Sequence, residues 1–302
     1  MSAVTASALR LAAAPISWGV CEVPGWGLEL PPDRVLAEMA ALGFDATELG
    51  AEGYLGSDVD EITARLDAHG LRLVGGFVPL VLHDAVEADA AVAAASESAR
   101  TLAGAGAEVF VTAAVTDWDW GPRRPLTDGQ WAALLRMLDR VGSIARDHGL
   151  RQVLHPHVNT VVEQADEVQR VLEASDVALC LDTGHLVIGG LDPVDLVARA
   201  AHRVGHVHLK DVDVATARRV TAGELSLMDG VQAGMFRALG DGDVAVGGVV
   251  RGLRSAGYDG WYVLEQDAAL TNGLPPPGRG PRDDVERSLK FLQTIDATDT
   301  TS

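Results

Sequence analysis

One repeated local pattern constrains the fold of this chain more than any other feature. A stretch rich in Ala, Leu and Arg with helical spacing ends in Gly, and a short run of β-forming residues follows at once. Gly just past a helix supplies a left-handed residue that satisfies the last carbonyl groups. Each instance therefore predicts a helix, its cap and a strand. The capping glycines of this pattern are Gly43, Gly70, Gly149 and Gly257.

The remaining segments complete an alternation of helices and strands. Strands that are joined through helices must run parallel, and eight such units close into a (β/α)8 TIM barrel, an α/β fold of about 250 residues or more. We therefore expect residues 1–302 to form a single barrel domain, with a Gly/Pro-rich loop at 272–282 and a disordered tail at 295–302. The predicted strands are 11–17, 44–49, 71–77, 107–113, 151–157, 177–182, 203–209 and 260–265, and the predicted helices include 32–42, 58–69, 128–148, 163–174, 193–200 and 283–293.

A doubly wound open sheet is the alternative fold. Such a sheet normally carries a Gly-rich phosphate-binding turn after its first strand, with the spacing G-x-G-x-x-G. The segment 17–27 follows the first predicted strand and lacks that spacing. The barrel is therefore favoured.

Charge and cysteine content bear on partners and location. The chain has 24 Lys and Arg against 43 Asp and Glu, a net charge of -19, and it has no basic run. Such a chain repels phosphate backbones, so we expect no nucleic-acid partner. Two cysteines are too few for a disulfide framework, residues 1–14 make a poor signal peptide, and no apolar run approaches the ~20 residues that span a bilayer. We expect a cytoplasmic protein with no membrane partner.

The last four predicted strands end in side chains that are suited to metal binding and catalysis. In a parallel barrel the active site lies at the carboxyl ends of the strands. Alternate residues of a strand share a face, so the strand-end side chains point into the barrel together. A ring of imidazole and carboxylate groups at one rim suits a divalent cation. The residues concerned are His155 and His157 on strand five, Asp182 and His185 on strand six, His206, His208 and Lys210 on strand seven, and Glu265 on strand eight.

Tryptophans also follow several predicted strand ends. Their rings could wall a pocket and stack on the apolar face of a sugar or cyclitol ring, although ordinary loop packing is the alternative for each. These residues are Trp18, Trp26, Trp118 and Trp120.

Several strand-end motifs resemble those of a known superfamily. Leu181-Asp-Thr-Gly-His185, His206-Val-His-Leu-Lys-Asp211 and Leu264-Glu265 are similar to motifs of the xylose-isomerase-like barrels, over nearly the whole chain. Pro15-Ile-Ser-Trp-Gly19, Ala46-Thr-Glu-Leu-Gly50 and His155-Pro-His-Val-Asn-Thr160 resemble the inosose dehydratase branch more narrowly.

The resemblance implies a divalent metal, Mn or Co first and Zn, Fe or Mg as alternatives. Its ligands, carried over position by position, are His155, Asp182, His208 and Glu265. Most of the superfamily has Glu where this chain has His155, which leaves His157 as the alternative ligand from strand five.

The resemblance also implies the chemistry. It is loss of water from an inosose such as 2-keto-myo-inositol, through removal of an α-proton and formation of an enediolate. The candidates for proton transfer are Lys210, Glu48 and His185, although a solvated loop-edge position is the alternative for Lys210. The candidates for substrate contact are Trp18, His157, His185 and His206.

Three other functions are considered. An isomerase or epimerase of a ketose or inosose would share the metal and the enediolate but return the proton. A DNA repair nuclease like endonuclease IV would need further histidines at strands three and four, which end without them. A polyol-binding sensor would need a partner motif, and none is evident. Related barrels often associate, so a homo-oligomer is an additional expectation.

Overall fold

The computed structural model describes residues 9–21 and 23–299. Residues 1–8, which are part of the 1–14 segment that makes a poor signal peptide, lie outside the described residues. Eight parallel strands form a closed barrel in which the first strand pairs with the last, with Leu11 opposite Tyr262. The predicted barrel is confirmed and the open sheet is wrong. The barrel strands are β1 (Arg10–Ala13), β2 (Ala46–Glu48), β3 (Arg72–Leu80), β4 (Val109–Ala114), β5 (Arg151–Leu154), β6 (Ala178–Asp182), β7 (Val204–Leu209) and β10 (Trp261–Leu264).

Helices connect the strands and surround the barrel. The four glycines of the repeated pattern all have left-handed φ values, between 67° and 91°, as their capping role requires. No helix in the described part of the chain has both the length and the apolar character needed to cross a membrane. The helices are α1 (Pro32–Ala41), α2 (Val59–Ala68), α3 (Ala88–Gly104), α4 (Asp128–Asp147), α5 (Ala165–Ala174), α6 (Thr183–Ile188), α7 (Pro193–Ala200), α8 (Val214–Thr221), α9 (Leu227–Gln232), α10 (Val246–Ser255) and α11 (Pro281–Asp299), with 3-10 turns at Pro15–Trp18 and Ala201–Arg203.

Some predicted boundaries differ from the structure. The first strand ends at Ala13 because Pro15, which has no N–H, begins a 3-10 turn. The fifth strand ends at Leu154, and Pro156 interrupts the ladder after it. The Gly/Pro-rich loop is irregular as far as residue 280, and α11 then begins. This helix continues to Asp299, so 295–299 of the expected tail are helical and 300–302 lie outside the described residues.

A second, small sheet has no counterpart among the predicted strands. Two antiparallel two-residue strands, β8 (Asp211–Val212) and β9 (Phe236–Arg237), lie just past the carboxyl end of β7. The buried carboxylate of Asp211 accepts hydrogen bonds from four backbone N–H groups of these segments and the loop that follows. The donors are Val212, Gly240, Gly242 and Val244.

The barrel interior changes character along its axis. Towards the amino ends of the strands it is filled by apolar side chains, which include Trp261, Val263 and Val74 in one cluster. Cys180 belongs to a second apolar cluster with three valines, as expected for a small buried residue. The next inward position on β6 after Cys180 is Asp182, where the interior becomes polar. The polar groups therefore lie at the carboxyl end of the barrel.

Candidate active site

The carboxyl ends of β5, β6, β7 and β10 bring four metal-binding side chains together. They are His155, Asp182, His208 and Glu265, and one donor atom of each lies within 4.8 Å of the other three. The first three are buried, and 11% of the Glu265 side chain is exposed. His155 Nε2 lies 3.4 Å from Asp182 Oδ2, and His208 Nδ1 lies 3.1 Å from Glu265 Oε2.

Three of these four groups have buried polar atoms without a hydrogen bond. They are His155 Nε2, Asp182 Oδ2 and His208 Nδ1. A buried polar atom without a partner costs free energy, and such atoms are rare in native structures. A divalent cation among them would satisfy all three together with the Glu265 carboxylate. Two imidazole and two carboxylate donors suit Mn, Co, Zn or Fe, so the residues present fit a metal of this class.

His157, the alternative ligand from strand five, lies apart from this group. Its Nδ1 is 2.7 Å from the backbone oxygen of Val158, to which it donates. Its ring lies against that of His185, with centroids 3.8 Å apart. The structure thus places His155, and not His157, among the carboxylates.

Lys210 lies next to the four candidate ligands. Its Nζ is 2.7 Å from Asp267 Oδ1, 3.1 Å from Glu265 Oε2 and 3.0 Å from His185 Nε2. Burial alone would lower the pKa of Lys210, but the carboxylates of Asp182, Asp267 and Glu265 outweigh it and raise this pKa well above its ordinary value. The alternative of a solvated loop-edge lysine is wrong, because the side chain is buried and carries its charge among carboxylates.

Unlike Lys210, the two neighbouring histidines His157 and His185 are uncharged. Burial, reinforced by His155 and Lys210, lowers the pKa of His157 to about 3. Burial, reinforced by His157 and Lys210, holds the pKa of His185 well below its ordinary value. Both rings are therefore neutral at neutral pH. The His185 Nε2 accepts a hydrogen bond from the Lys210 ammonium.

Glu48 and His206 form a layer closer to the amino ends of the strands. Glu48 Oε1 is 2.8 Å from His206 Nε2 and 3.1 Å from His208 Nε2. Burial would raise the pKa of Glu48, but His208 and His206 outweigh it and lower this pKa far below its ordinary value. The sequence-based expectation for His206 is contact with substrate. Its position does not fit that role, because it is fully buried and precedes His208 by two residues on β7.

Aromatic rings line one side of the site. Trp120 stacks on Phe77 with centroids 6.1 Å apart and planes at 14°, and both contact the ring of His157. Trp120 has a φ of 55°, which is uncommon for a residue with a side chain. Its turn is held by Asp117 Oδ1, which accepts from the backbone N–H groups of Asp119 and Gly121. On the opposite side Phe236 contacts His185 and lies under the Lys210 ammonium.

The other three tryptophans make their contacts elsewhere. The expectation that Trp18 contacts substrate is wrong: its ring is fully buried in the core, and its Nε1 donates to Glu38 on α1 at 2.9 Å. Trp26 donates to the backbone oxygen of Ala268. Trp118 is 42% exposed and donates to Glu87.

Three residues of the site have no role assigned from the sequence. Asp267 lies two residues after Glu265, and Phe77 ends a predicted strand, so face alternation could have indicated both. Phe236 reaches the site only through the β8–β9 pairing. Two-residue strands leave no periodic pattern, so no local signal could have found it.

Comparisons with known proteins agree with the fold. The family model of the xylose isomerase-like TIM barrel matches residues 36–295. An inosose dehydratase of Geobacillus kaustophilus is 34% identical over 282 residues, which cover 89% of this chain and 91% of that protein. An inosose dehydratase of Geobacillus thermodenitrificans is 31% identical over 277 residues, 87% of this chain and 92% of that protein.

Solved structures share the fold at lower identity. An L-ribulose 3-epimerase superposes with a TM-score of 0.70 at 17% identity, and the match covers 96% of this chain and 95% of that one. The IOLI protein with a bound zinc atom superposes with a TM-score of 0.70 at 13% identity, covering 96% and 99%.

Proposed function

The chain belongs to the xylose isomerase-like TIM barrel family, and on this basis we propose that it is a metal-dependent carbon–oxygen lyase of the inosose dehydratase type. The proposed substrate is 2-keto-myo-inositol or a similar polyhydroxy ketone. The proposed metal ligands are His155, Asp182, His208 and Glu265. Two observations together carry the proposal. The chain is similar over nearly its full length to proteins named inosose dehydratase, and buried donor atoms at the strand ends have no hydrogen-bond partner.

The metal would polarise the ketone and an adjacent hydroxyl when bound, and so make the α-proton more acidic. We favour Mn²⁺ or Co²⁺, because two imidazoles and two carboxylates form a mixed borderline and hard donor set. Zn²⁺, Fe²⁺ and Mg²⁺ are the alternatives, and the IOLI protein of the same fold holds zinc.

Lys210 is proposed as the acid of the reaction. Dehydration breaks the α-C–H bond and a β-C–O bond, and the departing hydroxide must receive a proton to leave as water. The Lys210 ammonium keeps its proton at neutral pH, and Asp267 and His185 fix its position at 2.7 and 3.0 Å. It therefore suits protonation of the departing hydroxyl group.

His157 is proposed as the base. Donation from Nδ1 to Val158 leaves the lone pair on Nε2, which makes no hydrogen bond to any of the described residues. The ring is only half-buried, neutral, and next to Phe77 and Trp120. With its pKa lowered to about 3 the ring is a weak base, so its acceptance of the α-proton depends on the higher acidity that a bound metal would give that proton. The electron pair of the C–H bond then forms the enediolate. Loss of hydroxide from the β-carbon then gives an enol that tautomerises to the dione.

The aromatic side of the site suits a cyclitol ring. A ring with several equatorial hydroxyls has apolar C–H faces, and aromatic side chains stack on such faces. Trp120 and Phe77 offer this surface beside His157, opposite the charged groups around Lys210. This arrangement would place an apolar face of the cyclitol ring against the two aromatic side chains and its hydroxyl groups toward the polar residues.

The test is incubation of the purified, Mn²⁺-loaded protein with 2-keto-myo-inositol in D₂O. We expect a new dione absorbance. Lys210→Met should still exchange the α-proton for deuterium but lose elimination, whereas His157→Gln should lose both. Formation of an isomeric inosose without dione would instead support the epimerase. Absence of both products, with folded and metal-loaded protein, would overturn the proposal.

We also propose a cytoplasmic location, from the low cysteine content, and a homo-oligomer, as for many related barrels. Size-exclusion chromatography with light scattering would test the oligomeric state. The proposed small-molecule substrate requires neither nucleic acid nor a membrane.

A further inference from the structure

We infer that Glu48 is a positioning residue: with His206 it holds the His208 ring so that Nδ1 faces Asp182 and Glu265. The inference rests on the proposed function, since it concerns the metal site of that reaction. It replaces the sequence-based expectation that Glu48 transfers a proton. Its consequence is that Glu48 controls metal affinity without touching the metal or the substrate.

The hydrogen bonds to Glu48 decide which nitrogen of His208 is available. Glu48 Oε1 accepts from His208 Nε2 at 3.1 Å. A neutral imidazole carries one N–H, and an ionised carboxylate beside Nε2 selects the tautomer protonated there. When a metal displaces the other proton, the lone pair is on Nδ1, which lies 3.1 Å from Glu265 Oε2 and 3.8 Å from Asp182 Oδ2. Carboxylates behind metal-bound histidines orient them in this way.

His206 holds Glu48 from the other side. Its Nε2 donates to the same Oε1 at 2.8 Å, the shorter of the two bonds. The two rings cross at 76° with centroids 5.3 Å apart, so the carboxylate is held between them. Both imidazoles and Glu48 are almost completely buried, so water does not compete for the shared oxygen.

Two backbone features, the β2–β3 register shift and Gly75, leave space for the Glu48 carboxylate. The β2–β3 register shifts between Thr47 and Glu48, and Glu48 pairs with Gly75. A Cβ at Gly75 would lie 3.6 Å from Glu48 Oε1 and 3.0 Å from the backbone oxygen of Val109. A larger side chain there would compete with the carboxylate for space. The glycine and the shifted register thus let Glu48 reach His208 across the interior.

The contacts of Glu48 also argue against a direct catalytic role. Its hydrogen bonds go to two imidazoles, while Lys210, Asp267 and His185 form a separate group on the other side of the candidate ligands. A proton-transfer group must reach the substrate directly or through one water. The His208 ring lies between Glu48 and the carboxylates of Asp182 and Glu265.

The test compares Glu48→Gln with Glu38→Gln, a matched change of another buried glutamate that accepts from Trp18 on the outer side of the barrel. Zn²⁺ and Mn²⁺ dissociation constants are measured by calorimetry, and kcat is measured at saturating Mn²⁺. We expect Glu48→Gln to weaken metal binding about 10- to 100-fold, with kcat at saturating metal restored to within about threefold. Glu38→Gln should leave the dissociation constants unchanged.

Each other result has a defined meaning. An unchanged metal affinity in folded Glu48→Gln would overturn the inference, as would a kcat that stays at least about 100-fold low at saturating Mn²⁺, which would make Glu48 catalytic. If Glu48→Gln does not fold, His206→Gln provides the second variant, and unchanged metal affinity there would also overturn the inference. If the wild-type protein binds no metal, the proposed function itself fails.

Discussion

Lys210 and Asp267 form a buried ion pair in which Nζ and Oδ1 are 2.7 Å apart and only 2% and 9% of the two side chains are exposed. The pair joins the end of β7 to the segment after β10. Burial raises the pKa of Asp267 above its ordinary value, and Lys210 offsets only part of this effect. Removing one partner of such a pair leaves a buried charge without compensation. Asp267 therefore holds the Lys210 Nζ in place and, together with Asp182 and Glu265, favours the charged form of the proposed acid.

The first prediction concerns Asp267. Asp267→Asn keeps the shape but removes the charge, so the Lys210 ammonium should shift toward Glu265 and Asp182. We expect kcat to fall about 10- to 100-fold, less than the roughly 100- to 10,000-fold for complete loss of a proton donor, because Lys210 is displaced but still present. Steady-state kinetics at saturating metal measure this. Asp213→Asn, at the N-cap of α8, is the control and should leave kcat unchanged. Full activity of Asp267→Asn would contradict the role given to the pair.

The second prediction concerns the aromatic surface. Trp120→Ala removes the ring that stacks on Phe77 and faces His157. An aromatic contact contributes about 0.5–1.5 kcal/mol, so KM for the inosose should rise about 2- to 10-fold. Trp118→Ala is the matched control, because that ring is exposed and bonded to Glu87. Equal effects of the two substitutions would place the substrate elsewhere.

The third prediction is the pH dependence of metal binding. Burial alone would lower the pKa of His208, but Cys180, Glu265 and Glu48 outweigh it and raise this pKa well above its ordinary value. The metal-free protein therefore holds a proton on His208 that a metal at Nδ1 must displace. Affinity should rise by about one log unit per pH unit below that pKa, with about one proton released. His155, whose pKa burial lowers, should contribute none.

Calorimetry in two buffers with different heats of ionisation counts the protons released. An affinity that does not change between pH 6 and pH 8 would contradict this assignment of His208. Because its folded-state pKa is raised, the contribution of His208 to metal-free stability is fully present below its unfolded pKa. That contribution is lost as pH rises through the folded-state pKa.

The fourth prediction concerns Asp211. Its carboxylate accepts from four backbone N–H groups, and Asp211→Ala would leave buried donors without partners. We expect a loss of about 3 kcal/mol or more in the free energy of unfolding. Asp213→Ala removes the cap of α8 and a hydrogen bond from Arg237, and it should cost about 1 kcal/mol. Urea denaturation of the metal-free proteins compares them, and equal losses would show that the buried network adds nothing.

The amino-acid sequence is sufficient to predict the barrel and the cluster at the strand ends. Helix caps mark where each strand begins, and alternation along β7 gives His208 and Lys210 one direction. Because parallel strands all end at one rim, the topology alone places residues that are far apart in the chain, such as Asp182 and Glu265, next to each other.

Sequence-based predictions are wrong where the result depends on the path of the chain after a strand. Trp18 follows a strand that ends four residues earlier than predicted. The 3-10 turn directs its indole to Glu38 rather than toward the candidate metal ligands. Glu48 is recognisable as a strand-end carboxylate, but its partner His206 is 158 residues away. Tertiary packing of this kind leaves no trace in local spacing.

The position of Asp211 beside Lys210 has a consequence for how such an enzyme can diverge. Barrel enzymes commonly acquire new specificities by exchanging the loops that follow their strands, because the strands themselves are left undisturbed. Here the segment that brings Phe236 next to His185 and Lys210 is tied to Asp211, which directly follows the proposed acid. A substitution in this segment that changes the substrate preference would therefore also change the surroundings of the proposed acid, Lys210.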